Sequence, residues 1–341
     1  MGTRAAERER ARIGVPTIVG LTVGVVGVGA AFLIRATTPS LGRWSLPNQL
    51  QDLITLSISV IVESLPFVIL GVLLSILVQV WIPDHWIMRV LPSQPALRRA
   101  VISLLGIFLP VCECGNVPLA RGLIVKGFTV SESMTFLLAA PIVNPITIIT
   151  TGQAFGFDSP IFVARLLGGF AIANVVGWLF SLHSRQESLL TDRFAAECRL
   201  PDAHEHRQTR ARKSVELFAR EAGVIMPALF IGSLVAGLVQ VVVPRGVLLN
   251  LGSNPVWSIL AMMVLAFVIS VCSNVDSFFI LPFASTFMPG SVAVFLLFGP
   301  IVDIKMLTLM RTTFTARVLV QLTVVVALMS AVIGLVINYV A

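Results

Sequence analysis

The segment Phe136-Leu-Leu-Ala-Ala-Pro-Ile-Val-Asn144 occurs a second time, slightly altered, as Phe295-Leu-Leu-Phe-Gly-Pro-Ile-Val-Asp303. Each copy is a strongly apolar stretch that a proline interrupts and that an amide or an acid closes. A proline inside a helix leaves a backbone carbonyl without its partner, and hydrocarbon offers no replacement. The two copies therefore predict broken helices that line a working site inside a membrane.

The composition is that of a membrane protein with several helical spans. Of the 341 residues, 56% are hydrophobic and 12% are charged, and the mean hydropathy is +0.94. These values lie far outside the range of soluble domains, so we expect an all-α polytopic membrane protein. Nine apolar runs approach the length of about 20 residues that crosses a bilayer. They are 15–34, 52–82, 100–120, 130–153, 160–183, 216–243, 255–281, 290–312 and 314–340.

The net charge of +7 arises mainly from arginines in the N-terminal tail and in the loop 184–215. Few aromatic residues accompany them, so the positive-inside rule explains the charge better than a nucleic-acid partner does. We expect a protein of the plasma (inner) membrane that binds no nucleic acid, with its N-terminus and this loop in the cytoplasm.

Further residues recur in the same order in both parts of the chain. The pairs are Pro66 and Pro227, Gly71 and Gly232, Gln79 and Gln240, Pro83 and Pro244, Cys112 and Cys272, and Arg165 and Arg317. The sequence therefore predicts one N-terminal helix plus two homologous halves. Residues 1–49 form the tail, first helix and loop, 50–183 the first half, 184–215 the charged loop, and 216–341 the second half.

Each half is expected to have three or four spans with broken or re-entrant helices. The charge rule places the N-terminus and the loop 184–215 on one side, which requires an even number of spans between them. If one interrupted segment in each half enters and leaves on the same face, each half has three spans and the halves are inverted. Four spans make the halves parallel, and the sequence leaves both arrangements open.

The stretch Pro110–Pro118 contains two cysteines, an acid and an amide between prolines, so we expect a helix break there. Convergence of Cys112 and Cys114 at the break gives a thiolate pair for a soft species such as trivalent arsenic, Cu(I) or Zn(II). Simple packing of two small buried residues is the alternative. No disulfide framework is expected, and Cys198, His204 and His206 in the charged loop are more typical of a solvated cluster than of a metal site.

Polar groups cluster around the two breaks, and charged groups inside a membrane are functional candidates. The candidate substrate-binding residues are Cys112, Cys114, Asn116, Pro141, Asn144, Cys272, Asn274 and Pro300. The candidates for proton coupling or ion binding are Glu113, Asp276 and Asp303, and those for charge balance are Arg165, Lys305 and Arg317. Internal ion pairing is the alternative for each acid. We expect Arg121 to end a helix and reach the membrane interface.

The motifs resemble those of bacterial predicted permeases of the ArsP/YraQ type. The resemblance rests on Pro-Val-Cys-Glu-Cys-Gly at 110–115, Leu-Ala-Ala-Pro-Ile-Val-Asn-Pro at 138–145, and Phe-Gly-Pro-Ile-Val-Asp-Ile-Lys at 298–305. It implies a permease, and characterised members of the family export trivalent organoarsenicals. Asn116 and Asn274 depart from the family pattern, so the resemblance does not carry the substrate over.

We expect a secondary transporter that exports a small soft or thiol-reactive solute, with protons as a coupling ion and no cofactor. One half would rock against the other around a site near the bilayer midplane. The alternatives are a permease for a metal or metal complex, working as a homo-oligomer or with a second permease subunit, and a membrane-embedded thiol-redox or aspartyl enzyme. No phosphate-binding loop or zinc-protease helix motif is present in the sequence.

Overall fold

The computed structural model describes residues 48–82, 91–109, 111–199, 210–242 and 254–340. The predicted first helix at 15–34 and the two loop histidines, His204 and His206, lie outside these ranges. The described chain is helical and contains no strand, only an isolated antiparallel bridge between Leu190 and Phe314. The prediction of an all-α membrane protein is confirmed.

We number the α-helices in chain order. They are α1 Asn48–Ile76, α2 Pro95–Ser103, α3 Glu113–Val125, α4 Val130–Val143, α5 Pro145–Phe155, α6 Pro160–Ser181, α7 Asp192–Arg199, α8 Arg210–Val242, α9 Pro255–Ile269, α10 Asp276–Ile280, α11 Pro289–Phe298, α12 Ile304–Met310 and α13 Ala316–Val340. Helix α1 continues as a π-helical turn to Trp81, and α6 contains a π-helical turn at Ala164–Gly168.

Four of the described helices are long and apolar enough to cross a membrane: Gln49–Trp81, α6, α8 and α13. A fifth span results if α4 and α5, which bend by 41° at their junction, are taken together. Three further predicted runs, 100–120, 255–281 and 290–312, are interrupted in the described chain. The sequence predicted such interruptions, and the number of spans in each half stays a prediction.

The sequence predicted a break at the proline of the first nonapeptide, Pro141. The structure instead places the break at Asn144. Helix α4 continues through Pro141 to Val143, and Asn144 then caps α5 by accepting a hydrogen bond from the Ile146 amide at 2.9 Å. Pro145 follows at the first helical position, where its missing N–H costs nothing. The capping side chain, more than the proline, therefore sets the place where the helix stops.

In the second nonapeptide the helix stops earlier in the motif than in the first, and more residues separate it from the next helix. Helix α11 ends at Phe298, a turn follows, and Asp303 caps α12 by accepting a hydrogen bond from the Met306 amide at 2.5 Å. Asn144 and Asp303, the last residues of the two copies, thus play the same local role. Each supplies a buried helix start with the acceptor that hydrocarbon cannot supply.

The two cysteine-containing segments are broken as well. A short 3₁₀ helix at Leu104–Phe108 precedes α3, whose N-cap is Cys112. In the second half α9 ends at Ser270, which adopts the left-handed conformation with φ of 52°. Such a conformation is uncommon for a residue with a side chain and turns the chain sharply. All four polar breaks therefore interrupt helices that the membrane would otherwise require to be continuous.

Part of the charged loop packs against the helices, which the sequence did not indicate. The Thr191 amide donates to the Thr313 carbonyl at 2.9 Å, and the Thr315 amide donates to the Leu189 carbonyl at 3.1 Å. Phe194 on α7 is buried. The segment before residue 200 therefore forms a docked layer over the start of α13, and it is not the fully solvated linker that its composition suggested.

Helices α1 and α3 approach each other through glycines. A Cβ atom placed on Gly71 would lie 2.0 Å from the Gly115 carbonyl oxygen, and one placed on Gly115 would lie 2.3 Å from the Phe67 carbonyl oxygen. Small residues permit such close contact between membrane helices. The crossing fixes the position of α3, which carries the cysteines and Glu113.

We expect Gly71→Ala to destabilise the protein by about 1–3 kcal/mol, because the added methyl group forces the two backbones apart. Gly223→Ala is the matched control, since a Cβ atom on Gly223 meets nothing within 4 Å. That control should leave stability unchanged or raise it by up to about 1 kcal/mol. Denaturant titration in detergent measures both variants, and equal stability of the two would contradict the close crossing.

Candidate functional site

The start of α3 meets the loop after α9 in the buried interior. Glu113 is fully buried, and its carboxylate accepts hydrogen bonds from the Ser273 hydroxyl at 2.9 Å and from the Ser273 amide at 3.4 Å. Lys305 on α12, also fully buried, lies with its Nζ 3.4 Å from Glu113 Oε1. The Cys272 thiol donates to the same carboxylate at 3.7 Å, so four groups of the second half hold one carboxylate of the first.

Three thiols surround this contact. The ligand atoms of Cys112, Glu113 and Cys272 all lie within 4.8 Å of one another, and the three residues are buried. Cys112 interacts with the thiols of both Cys114 and Cys272, and the Cys114 thiol donates to Ser64 Oγ at 3.8 Å. The cysteines are free. The expected approach of Cys112 and Cys114 is present, together with a third thiol from the other half.

Two sulfurs and one carboxylate form a donor set that suits soft, thiophilic species. This is the one group of three His, Cys, Asp or Glu side chains in the described ranges whose ligand atoms come so close together. Cys198 is exposed on α7 and takes no part in it. The buried thiols, rather than the loop residues, are therefore the place where the described chain can hold a soft group.

Asn116 lies one turn after Glu113 on α3 and is fully buried. Both its Oδ1 and its Nδ2 are without a hydrogen-bond partner in the described chain. Leaving a buried polar atom unpaired costs about 1–3 kcal/mol, so such an amide usually has a partner. Asn116 is therefore the candidate substrate-binding residue with the most free hydrogen-bonding capacity.

The other two predicted amides are engaged with protein groups. Asn144 Nδ2 donates to the Val111 carbonyl at 3.1 Å while its Oδ1 caps α5. Asn274 Oδ1 accepts a hydrogen bond from Thr147 at 3.4 Å. These amides connect the breaks to one another. The prolines of the nonapeptides, Pro141 and Pro300, are buried beside the breaks.

Lys305 and Asp303 occupy the start of α12. The Lys305 ammonium also donates to the Ser270 carbonyl at 3.4 Å, and it interacts electrostatically with Asp303. Asp303 Oδ1 caps the helix, whereas its Oδ2 is buried and lacks a hydrogen-bond partner in the described residues. The lysine therefore lies between two acids, one from each half.

Arg165 and Asp276 form a separate buried pair. The Arg165 guanidinium donates to both Asp276 oxygens, at 2.8 and 2.7 Å, in a bidentate arrangement. It also donates to the hydroxyls of Ser277 at 2.7 Å and Thr151 at 3.0 Å, and to the Ser273 carbonyl at 3.3 Å. For Asp276 the internal ion pair is therefore the arrangement present, with Arg165 as its counter-ion.

Arg317, the residue that corresponds to Arg165 in the predicted repeat, is exposed. It forms no ion pair with any residue in the described ranges. Arg317 therefore does not neutralise a buried acid there, as had been predicted. The difference has a simple physical origin, because Asn116 stands in the first half where Asp276 stands in the second. An uncharged amide gives a second arginine no reason to be buried.

Arg121 corrects another expectation. It was expected to reach the membrane interface, but its side chain is buried and lies 2.9 Å from Glu221 on α8 and 3.2 Å from Glu197 on α7. Its guanidinium also stacks over the Phe194 ring at 4.0 Å and donates to the Thr312 carbonyl at 3.3 Å. Arg121 thus joins α3, α8 and the docked loop, a role that hydropathy alone does not reveal.

Glu63 on α1 is a site residue that the sequence reasoning missed. It is half-buried, interacts electrostatically with Lys305 and Glu113, and accepts a hydrogen bond from the Cys272 amide. The available signal was an acid near the centre of the apolar run 52–82. It was not used because Glu63 lies outside both repeated motifs.

We expect Arg165→Gln to lower the free energy of unfolding by about 3–5 kcal/mol, because it leaves Asp276 buried without a counter-ion. The matched variant Arg317→Gln removes the same charge from an exposed position and should change stability by less than about 0.5 kcal/mol. Denaturant titration of both variants in detergent makes the comparison. Similar losses in the two variants would show that Asp276 does not depend on Arg165.

The comparisons with known proteins agree with a membrane permease. The sequence pattern of the family ArsP_1, described as a predicted permease, matches residues 49–339. The UPF0718 protein YcgR of Bacillus subtilis is 35% identical over 272 residues, which are 76% of this chain and 88% of that protein. No solved structure matches the chain.

Two further relatives extend this similarity. A Streptococcus mutans protein named "Putative two-component membrane permease complex subunit" is 32% identical over 282 residues, 81% of this chain and 91% of its own length. The UPF0718 protein YraQ of Escherichia coli is 31% identical over 114 residues, 33% of this chain and 32% of that protein. With a family match that covers both halves and the buried cysteine cluster, this chain belongs to the ArsP_1 family of predicted membrane permeases.

Proposed function

We propose that the protein is a secondary transporter that exports a small soft or thiol-reactive solute, similar to a trivalent organoarsenical. The observation that carries the proposal is the buried meeting of Cys112, Cys272 and Glu113 at two helix breaks, with ligand atoms within 4.8 Å of one another. Thiols bind soft species strongly, and buried polar groups inside a membrane helix bundle mark transport sites.

Asn116 extends the proposed binding site. Its amide has two free hydrogen-bonding atoms and lies on the same face of α3 as Glu113, because residues three apart are neighbours on a helix. A solute held by the thiols through its soft centre would use Asn116 for a polar substituent. Cys114, Asn144, Asn274, Pro141 and Pro300 line the surrounding breaks.

A metal cation suits this site less well than an uncharged solute. The Lys305 ammonium is fixed 3.4 Å from Glu113 Oε1 and already supplies the carboxylate with a positive charge. A second cation beside it would experience repulsion that a low-dielectric interior screens poorly. A neutral thiol-reactive molecule avoids this repulsion. Metal export is therefore the alternative outcome of the transport experiment.

Glu113 and Asp303 are the proposed proton-coupling acids. Both are buried, both interact with the single Lys305, and Asp303 keeps a free carboxylate oxygen. Asp276 has its two oxygens bound by Arg165, so we assign it to holding the halves together. Protonation of either acid would weaken its attraction to Lys305, and for Glu113 this contact joins α3 to α12.

Movement of two homologous halves would provide alternating access. In support of the repeat, Asn144 and Asp303 both cap a helix immediately after their nonapeptide. The polar contacts of Glu113 and Arg165 cross from the first half to the second. Rocking would break and remake the contacts of Glu113 around the central site, while the Arg165–Asp276 pair holds the halves together.

We place the protein in the plasma (inner) membrane with the loop 184–215 in the cytoplasm, because this loop carries many arginines. A second permease subunit or a second copy of the chain is the proposed partner. The name of the Streptococcus mutans relative, a subunit of a two-component permease complex, favours the former.

Transport by purified protein in liposomes tests the proposal, with phenylarsine oxide as the probe. Cys112→Ser and Cys272→Ser should each slow its export at least about tenfold, which corresponds to the loss of about 1.4 kcal/mol of binding. Cys198→Ser is the matched control and should transport normally, because Cys198 lies outside the site.

Wild-type protein that moves Zn(II) or Cu(I) but not the probe would replace the proposed solute by a metal ion. Absence of transport for the probe and for both metals would contradict the proposed function. Normal rates in both site variants would remove the thiols from the mechanism.

Labelling of Cys198 tests the proposed orientation. Although Cys198 is an exposed residue, desolvation of its thiol, aided by the negative charge of Glu197, raises the pKa of the thiol to about 11, so its reactive thiolate is scarce at neutral pH. A membrane-impermeant maleimide should react only from the cytoplasmic side, about tenfold faster for each unit of rising pH below that pKa. Cys198→Ser should abolish labelling, because the other cysteines are buried. Reaction from the outside of intact cells would reverse the orientation.

A further inference from the structure

Helices α3 and α12 begin next to each other at the buried thiol site and lead away from it together. Near their starts, Lys305 Nζ lies 3.4 Å from Glu113 Oε1. Further along α3, after a rise of about 12 Å, the Arg121 guanidinium donates to the Thr312 carbonyl at 3.3 Å, just beyond the end of α12. Since α3 belongs to the predicted first half and α12 to the second, a seam between the halves leads from the site to Arg121.

The segment Gln186–Arg199, which we call the strap, covers the far end of this seam. It consists of a 3₁₀ turn at Gln186–Leu189 followed by α7. The Phe194 side chain on α7 is buried, and its ring centroid lies 4.0 Å from Arg121 Cζ. Arg121 is itself only 1% exposed. In the described chain the seam is therefore closed on the side that carries the loop 184–215, which we call the loop side.

The strap is attached to both halves of the chain. On the first half, the Ser131 amide donates to Gln186 Oε1 at 3.1 Å. On the second half, Leu190 and Phe314 form the isolated antiparallel bridge, with backbone hydrogen bonds of 2.9 and 3.1 Å on either side of the pair. A relative movement of the halves at this place must therefore release at least one of these attachments.

Glu197 on α7 joins the strap to the charges beneath it. Arg121 Nη2 lies 3.2 Å from Glu197 Oε2, and Arg121 Nε lies 2.9 Å from Glu221 Oε2 on α8. The Glu197 side chain is 15% exposed and also lies 3.1 Å from the exposed Arg220. Glu197 is thus at the edge of the buried cluster, whereas Glu221 is in its interior.

This arrangement allows the strap to leave without stranding a buried charge. Breaking a buried ion pair is costly when one charge stays behind without a partner. If α7 lifts away, Glu197 passes into water, while Arg121 keeps the buried Glu221 as its counter-ion. The contacts of the strap with Arg121 are polar and aromatic, and water can replace the polar ones.

We propose that the strap is the gate of the transport path on the loop side, and that the contact of Glu197 with Arg121 is its latch. Opening releases this latch together with the Leu190–Phe314 bridge, and a small solute then reaches the buried thiols along α3 and α12. The role in transport rests on the proposed function. The control that the strap exerts on access to the thiols does not require a substrate.

Alkylation by N-ethylmaleimide measures the gate without a transported solute. The rates at Cys112 and Cys272 are followed by peptide mass spectrometry in purified protein that carries Cys198→Ser. Glu197→Gln removes the charge of the latch and should raise both rates at least about tenfold. Rates that stay unchanged in Glu197→Gln would overturn the latch.

Glu187→Gln is the matched control. Glu187 is an exposed acid of the same segment, and its ion pair with Arg199 lies within the strap. An exposed pair of this kind contributes little to stability, so both alkylation rates should stay unchanged. Equal acceleration in Glu187→Gln and Glu197→Gln would show that the contact with Arg121 is not the cause, and would overturn the latch as well.

A disulfide across the bridge separates gating from general loosening of the fold. Leu190 and Phe314 form a non-hydrogen-bonded pair, in which Cα atoms lie about 4.5 Å apart, a separation that a disulfide can span. The oxidised double variant Leu190→Cys/Phe314→Cys should slow alkylation of the buried thiols at least about tenfold relative to both single variants, even with Glu197→Gln present. Equal rates in the oxidised double variant and the single variants would overturn the gate.

Transport of phenylarsine oxide in liposomes separates this inference from the proposed function. The oxidised double variant should export none of the probe, while both single variants, treated with the same oxidant, export it. Export by the oxidised double variant as fast as by the single variants would overturn the gate alone. A protein that moves no solute in any of these forms, although the disulfide protects its buried thiols from alkylation, would contradict the proposed function alone.

Discussion

The absence of water from the membrane interior is the constraint on which this structure depends. A helix that stops there must bring its own hydrogen-bond partners. Asn144 and Asp303 do so by capping α5 and α12, and Glu113 does so by accepting bonds from the Ser273 loop. At each break a polar side chain forms the hydrogen bonds that the interrupted helix lacks. Polar groups of both halves therefore lie together in one region.

The buried charges of that region are neutralised in two different ways. Arg165 and Asp276 compensate each other through two hydrogen bonds, and nearby hydroxyls complete their shells. Around Lys305 the compensation is incomplete, and Asp303 retains an unpaired oxygen. A fully paired ion pair stabilises one arrangement, whereas an incompletely paired one can change its protonation state. The thiols lie beside the second kind.

The sequence predicted the chemistry of the site better than its geometry. The repeated nonapeptide indicated where polar groups interrupt apolar helices, and the spacing of Cys112 and Cys114 indicated a thiol cluster. The repeat also pointed to Cys272 as a partner from the second half, whereas the contact of Glu113 with Ser273 and Lys305 was not predicted, because contacts between distant helices leave no local pattern. It also placed the first break at Pro141, although the capping strength of Asn144 sets it three residues later. Arg121 was misjudged because the sequence does not say which face of a helix meets a partner. Glu63 was missed because it lies outside both repeated motifs.

The glycine crossing of α1 and α3 has a mechanical consequence. With Gly71 against Gly115, the two backbones lie too close to slide past each other. Glu63 and Cys112, carried by these two helices, must then travel as a single rigid block whenever the protein changes shape. Strain from any such motion would concentrate at the other side of Glu113, where its carboxylate is bound by Ser273 and Lys305.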